Sequence, residues 1–306
     1  MPSLREIRQK IKSVKSTQQI TKAMKMVAAA RLRRAQARIL AARPFAQKME
    51  ELMTHVVERR TEHPLFVQRP GTRRILLLVT ADKGLCGAFN TNLIREALRY
   101  LRQHRSDQVQ LYVVGRKGRD YFKRIGGPVV KEYANIFNTL NFAHAEIITR
   151  DLVEAYERQP VAAVDILYNE FKSVIQQRLV VKPLLPITTP GVRPERHTNG
   201  RSPAGPVAGG SDPNTELSPA WPDFEYEPAK EQLLEGLVPR FLKAQVFRVL
   251  LESAAAELGA RMAAMDNATK NASELMGSLT LRMNRTRQAS ITKEILEVVS
   301  GAEALK

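Results

Sequence analysis

Residues 3–58 read SLREIRQKIKSVKSTQQITKAMKMVAAARLRRAQARILAARPFAQKMEELMTHVVE, and the spacing of apolar residues in this stretch decides the architecture. With Leu4 at a heptad a position, the a series is Leu4, Ile11, Gln18, Lys25, Leu32, Ile39, Ala46 and Met53. The d series is Ile7, Val14, Thr21, Ala28, Ala35, Ala42, Met49 and Val56. Thirteen of these sixteen positions are apolar, which is the narrow seam of a coiled coil rather than the broad face of a globular helix. Ser3 is placed to cap the helix, with Glu6 completing a capping box. Pro44 removes one backbone bond and predicts a local bend. The three polar seam residues, Gln18, Thr21 and Lys25, are consecutive in the frame. They either fix register or mark a level where the partner helix is not the only neighbour.

The partner for this seam lies at the other end of the chain. Residues 229–306 carry a second stripe, from Leu237, Phe241, Ala244, Arg248 and Leu251 through Met276, Leu279 and Met283, at alternating spacings of four and three. The frame then slips. Thr286, Ser290, Lys293 and Glu297 would continue it and are polar, while a new stripe starts at Ile291, Ile295, Val298, Ala302 and Leu305. Between the two helical segments, residues 70–187 alternate strand and helix patterns: strands at 73–80, 109–114, 129–133, 161–171 and 179–187, helices at 88–105, 116–125 and 142–157. That alternation predicts a Rossmann-like α/β domain with a largely parallel sheet closed by a hairpin. The expected division is an N-terminal helix at 1–60, the α/β domain at 70–187, a loop or insertion at 190–227 and a C-terminal helix at 228–306. Within the loop, residues 190–222 hold 15 Gly, Pro or Ser among 33.

Because a compact domain joins the end of one seam helix to the start of the other, the two must run antiparallel. At ~1.5 Å per residue the first spans about 80 Å and the second about 100 Å, so the C-terminal helix overhangs by roughly ten to fourteen residues. The frame slip between Met283 and Ile291 falls where the overhang begins, and the new stripe beyond it requires a neighbour from another protein. The expected shape is a rod with a globular base, suited to a lever, spacer or shaft.

Composition narrows the partners. The net charge is +17, and residues 1–49 alone hold 13 Lys or Arg against Glu6, while 211–235 hold seven acids against Lys230. An acidic partner is implied: nucleic acid, an anionic membrane or acidic protein surfaces. One cysteine excludes a disulfide framework. No apolar run reaches the ~18 residues of a membrane span. The N-terminus lacks the apolar core of a secretory signal, and no mitochondrial presequence is evident. The turn TADKGLCGAFN at 80–90 has GxxG spacing and lacks both the dinucleotide fingerprint and the Walker lysine, so structural glycines are the simpler reading. Cys86 has no neighbouring His, the five histidines are scattered, and the methionines fit coiled-coil filling. No catalytic residue, metal site or cofactor site is expected.

The stretches IRQKIKSVKSTQQITKAMKMVAAARLRRAQ (Ile7–Gln36), TADKGLCGAFNTNL (Thr80–Leu93) and RQASITKEILEVVSGAEAL (residues 287–305) resemble the terminal and central signatures of the γ subunits of F-type ATP synthases. The resemblance covers nearly the whole chain except about 190–222, which looks longer and richer in Pro and Gly than expected of that family. It implies a central rotor: an antiparallel coiled coil inside a hexamer of α and β subunits, an α/β base against the ε subunit and the membrane c-ring, and ATP chemistry confined to β/α interfaces. Carried over by position, it implies rotor–stator coupling through Met24, Lys25, Arg261, Arg287, Gln288, Thr292 and Glu294. It also implies a peripheral place on the cytoplasmic face of a bacterial inner membrane. A nucleic-acid-binding basic coiled coil is the alternative, opposed by a heptad that runs through the basic segment itself. A nucleotide-binding enzyme rests only on the GxxG turns.

Overall fold

The computed structural model describes residues 3–57, 63–67, 69–173, 176–187 and 230–303. The loop or insertion expected at 190–227 lies outside the described residues. Two long helices, α1 (Leu4–Val57) and α5 (Lys230–Glu303), enclose in sequence a domain of β1 (Arg73–Val79), α2 (Phe89–Gln103), β2 (Gln108–Val114), α3 (Arg116–Arg124), β3 (Val129–Tyr133), α4 (Phe142–Arg158), β4 (Val161–Phe171) and β5 (Gln177–Leu185).

α1 follows its heptad closely. Ile7, Thr21, Ala28, Leu32, Met49 and Met53 are buried, and no a or d residue from Leu4 to Met53 is exposed. The Ser3 hydroxyl accepts the Glu6 N–H at 3.3 Å, the Ser3 half of the expected capping box. The helix continues through Pro44 without a break. α5 packs along α1 antiparallel, as the pairs Thr21 with Thr269, Lys25 with Asp266 and Glu50 with Arg248 show by running in opposite senses.

The five strands lie in the order β3-β2-β1-β4-β5. β1 pairs parallel with β2 and β4, β2 parallel with β3, and β5 closes the sheet antiparallel to β4. The continuous apolar run of β1 reflects burial on both faces. Leu77 and Val79 meet Ile148, Leu152 and Tyr156 of α4 and Val246 and Leu250 of α5, while Leu76 and Leu78 meet Leu93 and Ala97 of α2 and Phe122 of α3. α4 starts with Asn141, whose side chain and backbone exchange hydrogen bonds with His144 at 3.3 Å each.

α5 therefore has two apolar faces in its first half. Ala244, Leu251 and Ala255 belong to the predicted seam stripe. Leu234, Val238, Leu242, Val246 and Leu250 form a second stripe, all at 0–1 % exposure, that seals one face of the sheet. The sheet domain is thus packed directly onto the rod.

Candidate functional site

Midway along the rod, the polar seam residues meet polar partners. The Thr21 and Thr269 hydroxyls lie 2.8 Å apart. One turn on, Lys25 Nζ donates to Asp266 Oδ1 at 2.6 Å, and Lys270 reaches the other carboxylate oxygen at 3.1 Å. The hydrogen bonds from Lys25 and Lys270 hold the Asp266 carboxyl below the usual range. Beside this pair, half-buried Met24 lies over an open apolar hollow of about 300 Å³ that Ile20, Val27, Leu258 and the Arg261 stem also line.

Arg261 turns the other way, into the sheet domain. Its Nη2 donates to the Gly84 carbonyl at 3.1 Å and it contacts Glu257 one turn back. Burial pushes the Glu257 carboxyl up, against the opposing pull of Arg261. Cys86, in the same turn, is buried, and its thiol is likewise pushed up by burial.

This junction sits where an open α/β sheet would bind a ligand. β1 leads to β2 on one side while β4 lies on the other, so the crevice beyond the carboxyl end of β1 is the topological switch point. Here it is filled from within. Asp82 Oδ1 accepts the N–H of Arg116 at 3.1 Å, at the start of α3, and that of Asn135 at 2.8 Å. The carboxylate thereby takes the place an anion would occupy at the helix N-terminus. Thr80, Lys83, Phe137, Ser253 and Arg261 close over the remainder and leave a void of about 40 Å³, the scale of one or two waters rather than a nucleotide. The glycines serve this packing. Gly115 has φ +90°, and a Cβ there would lie 2.1 Å from the Thr80 carbonyl oxygen. In the turn at 80–90, Gly87 has φ +57°, while Gly84 has no close neighbour.

The remaining predicted residues lie elsewhere. Arg287, Gln288, Thr292 and Glu294 are exposed, roughly 40–50 Å along α5 from Arg261 at ~1.5 Å per residue. Thr292 donates to the Gln288 carbonyl at 3.0 Å and Ser290 to Glu294 at 3.2 Å, both within the helix. Thr286 and Ser290 retain partial cover, and from Ile291 to Gly301 every residue is exposed. Ile295 is 57 % exposed, Leu296 60 % and Val298 72 %. The α1–α5 register, carried to Leu4, ends close to Arg287. The overhang thus begins at the frame slip.

The seven predicted residues therefore form two groups. Met24 and Lys25 gather beside Arg261 at mid-rod, whereas Arg287, Gln288, Thr292 and Glu294 share the overhang. Lys25 and Arg261 are bound to other parts of the same chain, which sequence reasoning missed. Asp266 was overlooked although a seam lysine calls for an acid and Asp266–Lys270 has ion-pair spacing. Asp82 and Glu257 carried no sequence signal, because their partners come from distant segments. Among the described residues there is no cluster of three or more metal-ligating side chains, and no helix is long and apolar enough to cross a membrane.

A family model described as ATP synthase matches residues 3–305. An ATP synthase gamma chain of Anaeromyxobacter sp. (strain Fw109-5) is 47 % identical over 313 residues, covering 100 % of both chains. That of Chloroherpeton thalassium is 47 % identical over 314 residues, covering 100 % of this chain and 99 % of its own. Among solved structures, a chain of the Euglena gracilis mitochondrial ATP synthase (OSCP/F1/c-ring) superposes with a TM-score of 0.66 at 20 % identity, covering 99 % of this chain and 94 % of its own. A chain of the Tetrahymena thermophila mitochondrial central stalk and c-ring does so at 0.58 and 27 % identity, covering 81 % and 99 %. On the full-length match to the family model and to these relatives, the chain belongs to the ATP synthase gamma-chain family.

Proposed function

We infer that this chain is the central rotor shaft of the F1 sector of a proton-translocating ATP synthase, carrying rotation between a membrane ring and the catalytic head. The observation that carries this reading is the change along α5 at Ile291, where a helix packed on the sheet domain and then on α1 becomes an apolar tip with no cover among the described residues. A tip of this kind fits a surrounding apolar collar. Such a bearing holds the axis without directional bonds, so it centres the shaft and leaves it free to turn.

In this reading the tip stands in a hexamer of α and β subunits, and the sheet domain meets the ε subunit and the c-ring. The two helices, the sheet domain and the segment 190–227 are its separate parts. Membrane association is indirect, through the ring, on the cytoplasmic face of a bacterial inner membrane. The shaft supplies no catalytic group and needs no cofactor, and ATP is handled by the neighbouring subunits. The basic face of α1, with residues such as Lys10, Lys12, Lys15 and Arg33 exposed, faces stator carboxylates. Exposed pairs of this sort are worth ~0–1 kcal/mol each, whereas breaking a buried pair costs about 3–5 kcal/mol. Many weak solvated contacts and steric push therefore suit a rotor that must not lock. Met24, on the outer margin of the seam, and the group Arg287, Gln288, Thr292 and Glu294 are the proposed rotor–stator contacts.

The test is assembly with and without this chain. It should co-purify with α and β subunits, and membranes containing the full complex should pump protons on ATP hydrolysis. Met24→Lys should lower pumping per ATP hydrolysed more than it lowers the amount of assembled complex. Failure to co-purify with α and β subunits would sink the rotor reading, and normal coupling in Met24→Lys membranes would remove Met24 from the contact surface. The nucleic-acid alternative gains no support from the family relationship, and salt-steep filter binding by the isolated chain is what would revive it.

A further inference from the structure

The apolar layers of the α1–α5 seam do not by themselves define which residues lie opposite one another. Ile7, Ala28, Leu32 and Met49 would find an apolar neighbour if α1 slid by one heptad toward the start of α5, because the stripe there repeats with the same period, whereas the opposite slide would bring Ala28 to Thr269 and Ile7 to Ser290. Apart from the long Glu50–Arg248 contact at 3.9 Å, one level is different. Lys25 meets Asp266 at 2.6 Å and Thr21 meets Thr269 at 2.8 Å. A slide of seven residues would put Lys25 opposite Gly259 or Ser273, and Thr21 opposite Met262 or Met276. Both native polar interactions would be lost together: Thr21 would face a methionine, and Lys25 would face a glycine or the uncharged Ser273 hydroxyl in place of a carboxylate. The side chains of Lys25 and Asp266 are 43 % and 32 % exposed, so the pair adds little to overall stability. Its value lies in excluding the shifted arrangements, the best-attested use of polar residues at seam positions.

We propose that Lys25–Asp266 together with Thr21–Thr269 is the register lock of the rod, and that Lys25 acts in coupling as a positioning residue rather than as a contact to the stator. The lock sets the height of the overhanging tip relative to the Met24 level. A shift of one heptad would move the two groups by about 10 Å relative to each other. The consequence for coupling rests on the rotor reading, whereas the lock itself does not.

The experiment has two arms. In the first, the full-length chain carries Thr21→Cys with Thr269→Cys, and disulfide yield on mild oxidation reports the register. The disulfide should form readily with Lys25 and Asp266 in place. Its yield should fall severalfold with Asp266→Lys and recover when Lys25→Asp is added to reverse the pair. Because the cysteines replace the Thr21–Thr269 half, this arm reads Lys25–Asp266, and yield unaffected by Asp266→Lys overturns the lock, whatever the chain's role. In the second arm, complexes with native threonines carry Lys25→Asp, Asp266→Lys or both. Each single reversal should lower protons pumped per ATP severalfold, and the swapped pair should recover most of it. A swap as poorly coupled as the single reversals, in a complex that assembles, would assign Lys25 to the stator contact and overturn the proposal. Failure of the wild-type chain to assemble at all would count against the rotor reading alone, and the disulfide arm would still decide the lock.

Discussion

The middle of the rod and its tip are stretches of the same helix with opposite relations to their surroundings. Around Arg261 and Asp266, α5 is held on two sides, by α1 and by the turn that follows β1. From Ile291 to Gly301 it is exposed, with no cover among the described residues, although it is still rich in isoleucine, valine and leucine. The contrast teaches that apolar content does not tell which part of a helix stabilises the isolated chain. In the middle, apolar surface is already removed from water. At the tip it remains in contact with water, and on the rotor reading its contribution would appear only on assembly.

Arg261→Met should have the largest effect in the middle. It leaves Glu257 buried beside a lost guanidinium, which costs about 3–5 kcal/mol and is read as a lower melting temperature of the full chain at neutral pH. Leu32→Ala, at a seam residue 3 % exposed, should cost ~2–5 kcal/mol. The same change at Leu296, 60 % exposed, should fall within about 0.5 kcal/mol, and equal losses at the two sites would erase the distinction between the regions.

Glu257→Gln sharpens the comparison through pH. Burial is the largest influence on this carboxyl and raises its native pKa above the unfolded value. The penalty for ionising it is therefore absent below the unfolded value, grows between the two and is complete above the native one. The glutamine variant should be more stable than the parent at neutral pH, with the advantage vanishing in acid. The cost of Arg261→Met should shrink over the same range. A constant difference from acid to neutral pH would contradict this account. The smallest effect belongs to removal of residues 291–306. Calorimetry of the isolated chain should show a melting temperature within a degree or two of the parent, while the tip's role in the complex is lost.

Periodicity alone located both seam helices, the five strands and the frame slip, because a heptad and a doubly buried strand each impose a local pattern. The second stripe of α5, from Leu234 to Leu250, is equally periodic, yet it went unread because the seam frame had already explained the helix. Lys25 and Arg261 were legible as unusual residues and not as partners of Asp266 and Gly84. Those pairings join positions 241 and 177 residues apart. The plug in the sheet's crevice was hidden for the same reason, since Asp82 meets Arg116 and Asn135 only after the strands have assembled.

By itself the sequence determined a basic antiparallel rod on an α/β base, with an apolar end beyond the seam. These follow from spacing and charge along one chain, which local physics reads without a partner. Only the tertiary structure decided that the base is clamped to the rod, that its ligand crevice is closed by Asp82 and Arg261, and that Lys25 faces Asp266. Each of these is a contact between distant segments, and its energy comes from desolvation and hydrogen-bond geometry that exist only once the chain has closed on itself.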